Sequence, residues 1–355
     1  EAIIATNNTA NGATPDRISF AIAGTGTHTI TLTTLLPTLT DAVILDATTD
    51  DSFAANGNRP AVILDGNALN GDGLVLTATA DGSTLRGLVI QNFQADGIQI
   101  DAGSEGNTIA GNYIGSLNSG GTAGGVGNGA AGVMVMGANN TIGGTNSADR
   151  NLLSGNDNGV VIDGASASGN QVLGNYIGTD LAGTTAIGNQ FDGVRIQNGA
   201  TNNTIGGSAA NARNIISGNV WEGIQINDEA SDGNIVQGNW IGVGADGTTL
   251  LGTGGDGIFI NGGADNSVIG GPGVNEGNWI AGVGIIGVEI DGGSTGTLIQ
   301  GNRIGTDLTG TLNWGGQQDG ILLEDSTAPF SGPQNTTITD NIIAFSGQGG
   351  GTYSS

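Results

Sequence analysis

The pentapeptide Gly111-Asn-Tyr-Ile-Gly115 returns as Gly174-Asn-Tyr-Ile-Gly178, Gly238-Asn-Trp-Ile-Gly242 and Gly301-Asn-Arg-Ile-Gly305. The offsets are 63, 64 and 63 residues, and a fixed period in this range marks a repeat architecture. A second string, Asn followed by two apolar residues, Ser or Ala and Gly, starts at Asn151, Asn214 and Asn278, with a remnant at Asn341. A third, Gly-apolar-x-apolar, starts at Gly97, Gly132, Gly159, Gly193, Gly223, Gly257, Gly287 and Gly320, twice in each unit. Each unit is therefore two turns of the chain, a short one from Asn151 to Asn175 and a long one from Asn175 to Asn214.

Each turn reads as three strands of three to five residues, such as Ile215-Ile216-Ser217, Gly223-Ile224-Gln225-Ile226 and Asn234-Ile235-Val236. Within them apolar and polar residues alternate with period two, and glycine and asparagine stand at the bends, where positive φ is needed. No helical periodicity separates the strands, which excludes βαβ units. Short strands that cannot bury their faces alone, repeated at a fixed period, stack into a solenoid. The expected fold is all-β, a parallel β-helix of about 11–12 coils alternating short and long, on the order of 55 Å in length at about 4.8 Å per coil. A single domain is expected over 1–355, with less regular coils over 1–86, regular repeats over 87–345 and a frayed tail over 346–355. Glu1–Asn8 is expected to form a short helix capping the open end.

Composition narrows the function. The 355 residues include 70 glycines, 32 Asp and Glu against 7 arginines and no lysine, one histidine and no cysteine, for a formal charge of −25. Disulfides, thiolate metal centres and cysteine nucleophiles are excluded. Such an acidic surface repels phosphate backbones and anionic lipid, so no nucleic-acid partner is expected. No apolar run is long enough to span a bilayer, so no membrane insertion is expected.

Stacking one coil on the next turns sequence positions into columns. Asn107, Asn140, Asn170, Asn203, Asn234, Asn266 and Asn335 recur at equivalent places, interrupted by Gly296, and are assigned to a structural amide ladder. Glu289, Asp291 and Glu324 form the densest acid cluster on the outward face of the Gly-apolar-x-apolar strands. If the protein is an enzyme, these three are the catalytic candidates, because carboxylates about 5–9.5 Å apart serve glycoside hydrolysis. Asp192, Glu222 and Asp256 precede the same strand in successive coils, where they would repel unless a cation or hydrogen bonds intervene, which makes them weak calcium candidates. Their bland alternative is the ordinary Asp-Gly turn. Tyr113, Tyr176, Trp240 and Trp279 form an outward aromatic stripe, read either as a ligand or partner surface or as a stripe covered by the loops inserted in each long coil, such as 179–192 and 242–256.

Gly174-Asn-Tyr-Ile-Gly-Thr-Asp-Leu-Ala-Gly-Thr-Thr-Ala-Ile-Gly-Asn189, with Asp192-Gly-Val-Arg-Ile196, Asn202-Asn-Thr-Ile-Gly-Gly207 and Arg213-Asn-Ile-Ile-Ser-Gly-Asn219, resembles the repeat of large bacterial right-handed parallel β-helix surface proteins. Ile18-Ser-Phe-Ala-Ile22 and Leu36-Pro-Thr-Leu-Thr-Asp41 are similar to their leading region. There a Ser-Leu-Arg-Glu-Ala-Ile motif commonly precedes, and this chain starts at Glu1-Ala-Ile3 as if cut after the arginine. The resemblance implies a right-handed helix and an extracellular or bacterial cell-surface location, often as part of a longer chain. The main functional expectation is an extracellular structural or adhesive module without catalysis, partnered by itself or by neighbouring solenoid segments. The alternatives are a carbohydrate-active enzyme on a neutral glycan and a calcium-stabilised glycan-binding module. Acidic polysaccharides are disfavoured by the charge and by the missing lysine of polygalacturonase-like sites.

Overall fold

The computed structural model describes residues 1–325 and 332–347. The chain winds as a right-handed parallel β-helix in eleven coils, with two sheets of eleven strands and a third of nine, every ladder parallel. Sheet 1 begins with Asp16–Ser19 and Val43–Asp46, sheet 2 with His28–Thr31 and Val62–Leu69, and sheet 3 with Leu74–Leu76 and Ile98–Ile100. The expected cap is present: helix α1, Ala2–Asn8, buries Ile3 and Thr6 at the first coil. Of the expected frayed tail, residues 348–355 lie outside the described residues.

One continuous core runs along the axis, from Ile3 to Ile304. Each sheet contributes a column of fully buried aliphatics: Ile142, Val172 and Ile205 from sheet 1, Ile177, Ile216 and Ile241 from sheet 2, Ile224, Ile258 and Val288 from sheet 3. Burying such a side chain contributes about 1.5–3 kcal/mol, so the stacked columns dominate cohesion. The strand-opening glycines of sheet 3 have a separate reason to be glycine. A Cβ on Gly223 would lie 2.5 Å from the Gly257 carbonyl oxygen and 2.6 Å from Cγ2 of Ile241. Close approach of coils, rather than positive φ, selects glycine there.

Asparagine ladders line all three corners. Asn107, Asn140, Asn170, Asn203 and Asn234 form the first, each backbone N–H donating to the next side-chain Oδ1 at 2.8–2.9 Å. Asn266 and Asn335, expected in this ladder, are one residue out of register. Both are exposed and adopt φ of +55° and +54°, in the row also held by Gly169, Gly233 and Gly296. The ladder places in those coils belong to Ser267, Thr297 and Thr336, which directly precede the strands. A second ladder, from Asn112 through Asn151, Asn175, Asn214, Asn239, Asn278 and Asn302 to Asn341, joins sheets 1 and 2. A third, Asn128, Asn156, Asn189 and Asn219, joins sheets 2 and 3.

Alternation of short and long turns is a matter of where insertions sit. Along sheet 2, Tyr113 stands opposite Leu152 and Leu152 opposite Tyr176, steps of 39 and 24 residues. Along sheet 1, Thr108, Thr141, Gln171 and Thr204 follow at steps of 33, 30 and 33. One coil inserts a hairpin-like loop after sheet 2, bridged at Thr179–Ala186 and Val243–Leu250, and the next inserts a 3₁₀ turn before it, Ser147–Asp149 or Ala210–Ala212.

Candidate functional site

These insertions decide which outer face is free. The loop tips Gly121, Gly183 and Gly247 lie against the rings of Tyr113, Tyr176 and Trp240, and consecutive loops bond to one another, Leu181 N–H to the Gly121 carbonyl and Ala245 N–H to the Gly183 carbonyl. Tyr113 and Trp279 are buried, Tyr176 and Trp240 half-buried. Trp279 donates its indole N–H to the Thr306 carbonyl at 2.6 Å, and lies between Trp240, edge-on at 5.0 Å, and Trp314, stacked at 5.2 Å. Arg150 covers Tyr176 at 4.0 Å and Arg213 covers Trp240 at 4.2 Å. The loops close over Tyr113 and Trp279, whereas the half-buried Tyr176 and Trp240 line a groove with Arg150 and Arg213.

The outward face of sheet 3 is more open. Its column runs Gln99, Met134, Val161, Arg195, Gln225, Phe259, Glu289 and Leu322 in successive coils. Val161 and Gln225 are buried, and the others are half-buried. Just before the strands lies the row Asp192, Glu222 and Asp256. Repulsion in this row is relieved by hydrogen bonds: Asp192 accepts the Glu222 N–H at 3.2 Å and Asp256 accepts the Ile286 N–H at 2.8 Å. Asp96 does the same for the Ala131 N–H at 2.7 Å. The three aspartates thus each cap a backbone donor of the next coil, whereas Glu222 stays under the repulsion of Asp192 and Asp256. Asp192 also faces Arg195, whose Nε is 3.7 Å away. Among the described residues, no group of three or more His, Cys, Asp or Glu is arranged to hold a metal ion. Asp180 accepts the Thr184 and Thr185 N–H groups in its loop.

Burial raises the proton affinity of this face. Asp96 and Glu222 are pushed up to about 7 by desolvation, Glu222 further by the neighbouring charges of Asp192 and Asp256. The sharpest case is a pair that sequence columns kept apart. Asp256 and Glu289 bring their carboxyl groups within hydrogen-bonding reach, which requires that one keep a proton. Both are raised chiefly by burial, and Glu289, raised further by the charges of Asp256, Glu324 and Asp291, is pushed up to about 8. Its remaining neighbours are Glu324 and Asp291. Glu289 and Glu324 line a cavity of about 410 Å³ with Ile285, Gln318, Asp319 and Leu322. Asp291 stands outside that lining, its carboxylate bonded to the N–H of Gly292.

Two aromatics missed by sequence reasoning complete the face. Phe191 and Trp221 directly precede Asp192 and Glu222 and meet edge-to-face at 4.8 Å. Trp221 is 48% exposed. The recurrence of an aromatic before an acid in adjacent coils was the available signal.

No protein-family model matches the sequence, and no curated protein matches it either. Solved structures similar in fold are more telling. The A-module of a mannuronan C-5 epimerase from Azotobacter vinelandii aligns with a TM-score of 0.55 at 15% identity, covering 97% of this chain and 93% of that one. The Dettilon tailspike protein aligns at 0.55 and 17% identity, covering 92% of this chain and 54% of that one. A PL6 family polysaccharide lyase from Pseudopedobacter saltans aligns at 0.50 and 15% identity, covering 92% and 80%. The expectation of a non-catalytic adhesive module is corrected by these neighbours, which are mostly carbohydrate-active enzymes. Sheet 3 also carries a pair of burial-raised carboxyls, Asp256 and Glu289, the latter lining a cavity. No helix among the described residues is long and apolar enough to cross a membrane.

Proposed function

We propose that this protein is a carbohydrate-active enzyme that hydrolyses a neutral glycan on the outward face of sheet 3. The carrying observation is the Asp256–Glu289 carboxyl pair, both members raised by burial, with Glu289 lining an open cavity. A general acid needs a pKa near the working pH, and burial brings Glu289 into that range. Glu289 would protonate the glycosidic oxygen while Asp256 holds that proton in place beforehand. Glu324, exposed at the rim of the same cavity, is the partner carboxylate. It lies one coil and two residues away, since Leu322 pairs with Glu289. Strand spacing and rise put the two backbones about 8 Å apart. Two carboxyls carried on one face at that spacing can flank a single glycosidic bond, as glycoside hydrolysis requires. Asp291 supports the negative field of the site.

Neutral sugars are favoured because Arg195 is the one cation in the outward column and already faces Asp192. Trp221 and Phe191 offer the apolar faces on which pyranose rings stack. We place the protein outside the cytoplasm, in keeping with its lack of cysteine and lysine and the surface-protein resemblance. A lengthwise partner, a second copy or a neighbouring solenoid segment, would use the last described coil, where Ile338, Ile342 and Ile343 are exposed. Sedimentation over a concentration series tests that contact.

The functional test is release of reducing ends from a panel of neutral glucans, mannans, galactans and xylans, with polyuronates as controls. Turnover of a neutral glycan, lost in Glu289→Gln, is the expected result. Binding without turnover would point to a glycan-binding module, and activity retained in Glu289→Gln would reject the assignment.

A further inference from the structure

A second cavity lies on the opposite side of the charge balance. Between the sheet 1 strand Val43–Asp46 and the sheet 2 strand Val62–Leu69, the chain leaves the solenoid as a 3₁₀ turn, Ala47–Thr49, and helix α2, Asp51–Ala55. The returning limb is tied to the loop of a later coil: Asn56 donates to the Ser119 carbonyl at 2.8 Å and Arg59 to the Gly120 carbonyl at 3.4 Å. Beneath this excursion lie Arg86 and Tyr113, and the turn Ser147–Arg150 closes the side. The space, open to solvent on one side, is about 230 Å³.

Three of the seven arginines, Arg59, Arg86 and Arg150, line this one cavity of a protein with 32 acidic residues. Their own carboxylate supply is thin. Asp46 is 3.7 Å from Arg86, but it is already held by Arg17 at 2.7 Å. Arg59 bonds only to neutral acceptors, Asn56 and Gly120. Arg150 donates to the Gly174 carbonyl and otherwise stacks on Tyr176. The Nε of Arg86 is buried with no hydrogen-bond partner. Three like charges around one cavity repel, Asp46 offsets this only at Arg86, and an entering anion would relieve the rest.

The walls specify what kind of anion. Phe53, Pro60, Tyr113 and Leu181 give the cavity an apolar side, which a bare ion does not use. The volume lies below that of drug-sized pockets and suits a single ring. Guanidinium groups present paired N–H donors that match a carboxylate. We propose that this cavity is a binding site for a carboxylated, sugar-sized ring, the chemistry of an acidic sugar unit. The site is formed by the excursion and the early coils, apart from the sheet 3 face, and does not rest on the glycan-hydrolysis reading. It also localises a basic site that a net charge of −25 conceals.

Calorimetric titration of the full chain with glucuronate, glucose and sulfate tests it. One glucuronate should bind saturably, with affinity that falls as salt is raised. Glucose should not bind, and sulfate should bind more weakly. Arg59→Gln should weaken glucuronate at least about tenfold, since bonds to charged groups contribute about 1.5–3 kcal/mol, while the circular dichroism of the solenoid is retained, because Arg59 lies outside the core and its lost bonds to Asn56 and Gly120 affect only the excursion. Equal binding of sulfate and glucuronate would overturn the ring-specific site, and absent glucuronate binding, or binding indifferent to Arg59→Gln, would overturn the site itself.

Discussion

Replacing Asn170 by alanine tests the corner ladders directly. The side chain is fully buried and makes four hydrogen bonds. Its Oδ1 accepts the Asn140 backbone N–H at 2.8 Å and the Asn140 amide at 3.1 Å, while its Nδ2 donates to the Gly137 carbonyl at 2.9 Å and the Asn203 amide oxygen at 3.0 Å. Truncation strands two buried backbone groups and breaks the amide chain on both sides. At about 1–3 kcal/mol for each unsatisfied group, the two backbone groups give roughly 2–6 kcal/mol, and a loss of about 3–5 kcal/mol is expected. Asn266→Ala is the matched control, because Asn266 is exposed and its φ of +55° is its chief demand, worth about 1 kcal/mol. Solenoids do not always unfold in one step, so guanidinium denaturation should be accompanied by amide hydrogen exchange. The Asn140 N–H should exchange much faster in Asn170→Ala and remain protected in Asn266→Ala. Equal destabilisation by the two substitutions would refute both the ladder energetics and the register.

The raised carboxyls predict an acid-favoured stability profile. A carboxyl whose folded pKa exceeds its unfolded value stabilises fully below the unfolded value, near 4, and that contribution is lost as pH rises through the folded one. With Asp96 and Glu222 near 7 and Glu289 near 8, the melting temperature should fall from about pH 5 to pH 8, and Glu289→Gln should flatten the fall. A profile rising over that range would contradict the burial argument. Gly223→Ala should cost roughly 1–3 kcal/mol or more in chemical denaturation through overpacking between coils, whereas Gly26→Ala, with open space around it, should be neutral. Trp221→Ala should weaken binding of a neutral oligosaccharide by up to about tenfold in calorimetry, since a ring contact contributes about 0.5–1.5 kcal/mol, with a small drop in melting point from loss of the edge contact to Phe191.

The solenoid was legible because its coils repeat and its inward residues alternate with period two, so Ile224 and Ile226, or Ile258 and Ile260, identify themselves. Register within the first corner was less so. Asparagine suits both the ladder and the neighbouring left-handed position, and in the later coils Ser267 and Thr336 take the ladder while Asn266 and Asn335 take the bend. The third ladder hid because its members, Asn128, Asn156, Asn189 and Asn219, follow at uneven steps of 28, 33 and 30 residues. Outward direction of Tyr113 and Trp279 followed from alternation, but their burial depends on loops whose path has no period. Asp256 and Glu289 fell in different columns, and only the lean of both side chains across one coil step joins them. The arginine cavity draws on an irregular excursion and on residues far apart in sequence, for which no pattern speaks.

The account turns on the proton held between Asp256 and Glu289. Carbon-13 NMR titration of the glutamate side-chain carboxyls, with Glu289→Gln to assign the signal, measures it most directly. A Glu289 carboxyl that stays protonated through neutral pH and deprotonates near pH 8 is the predicted result. Deprotonation in the ordinary range near 4.5, with no response to Asp256→Asn, would contradict it.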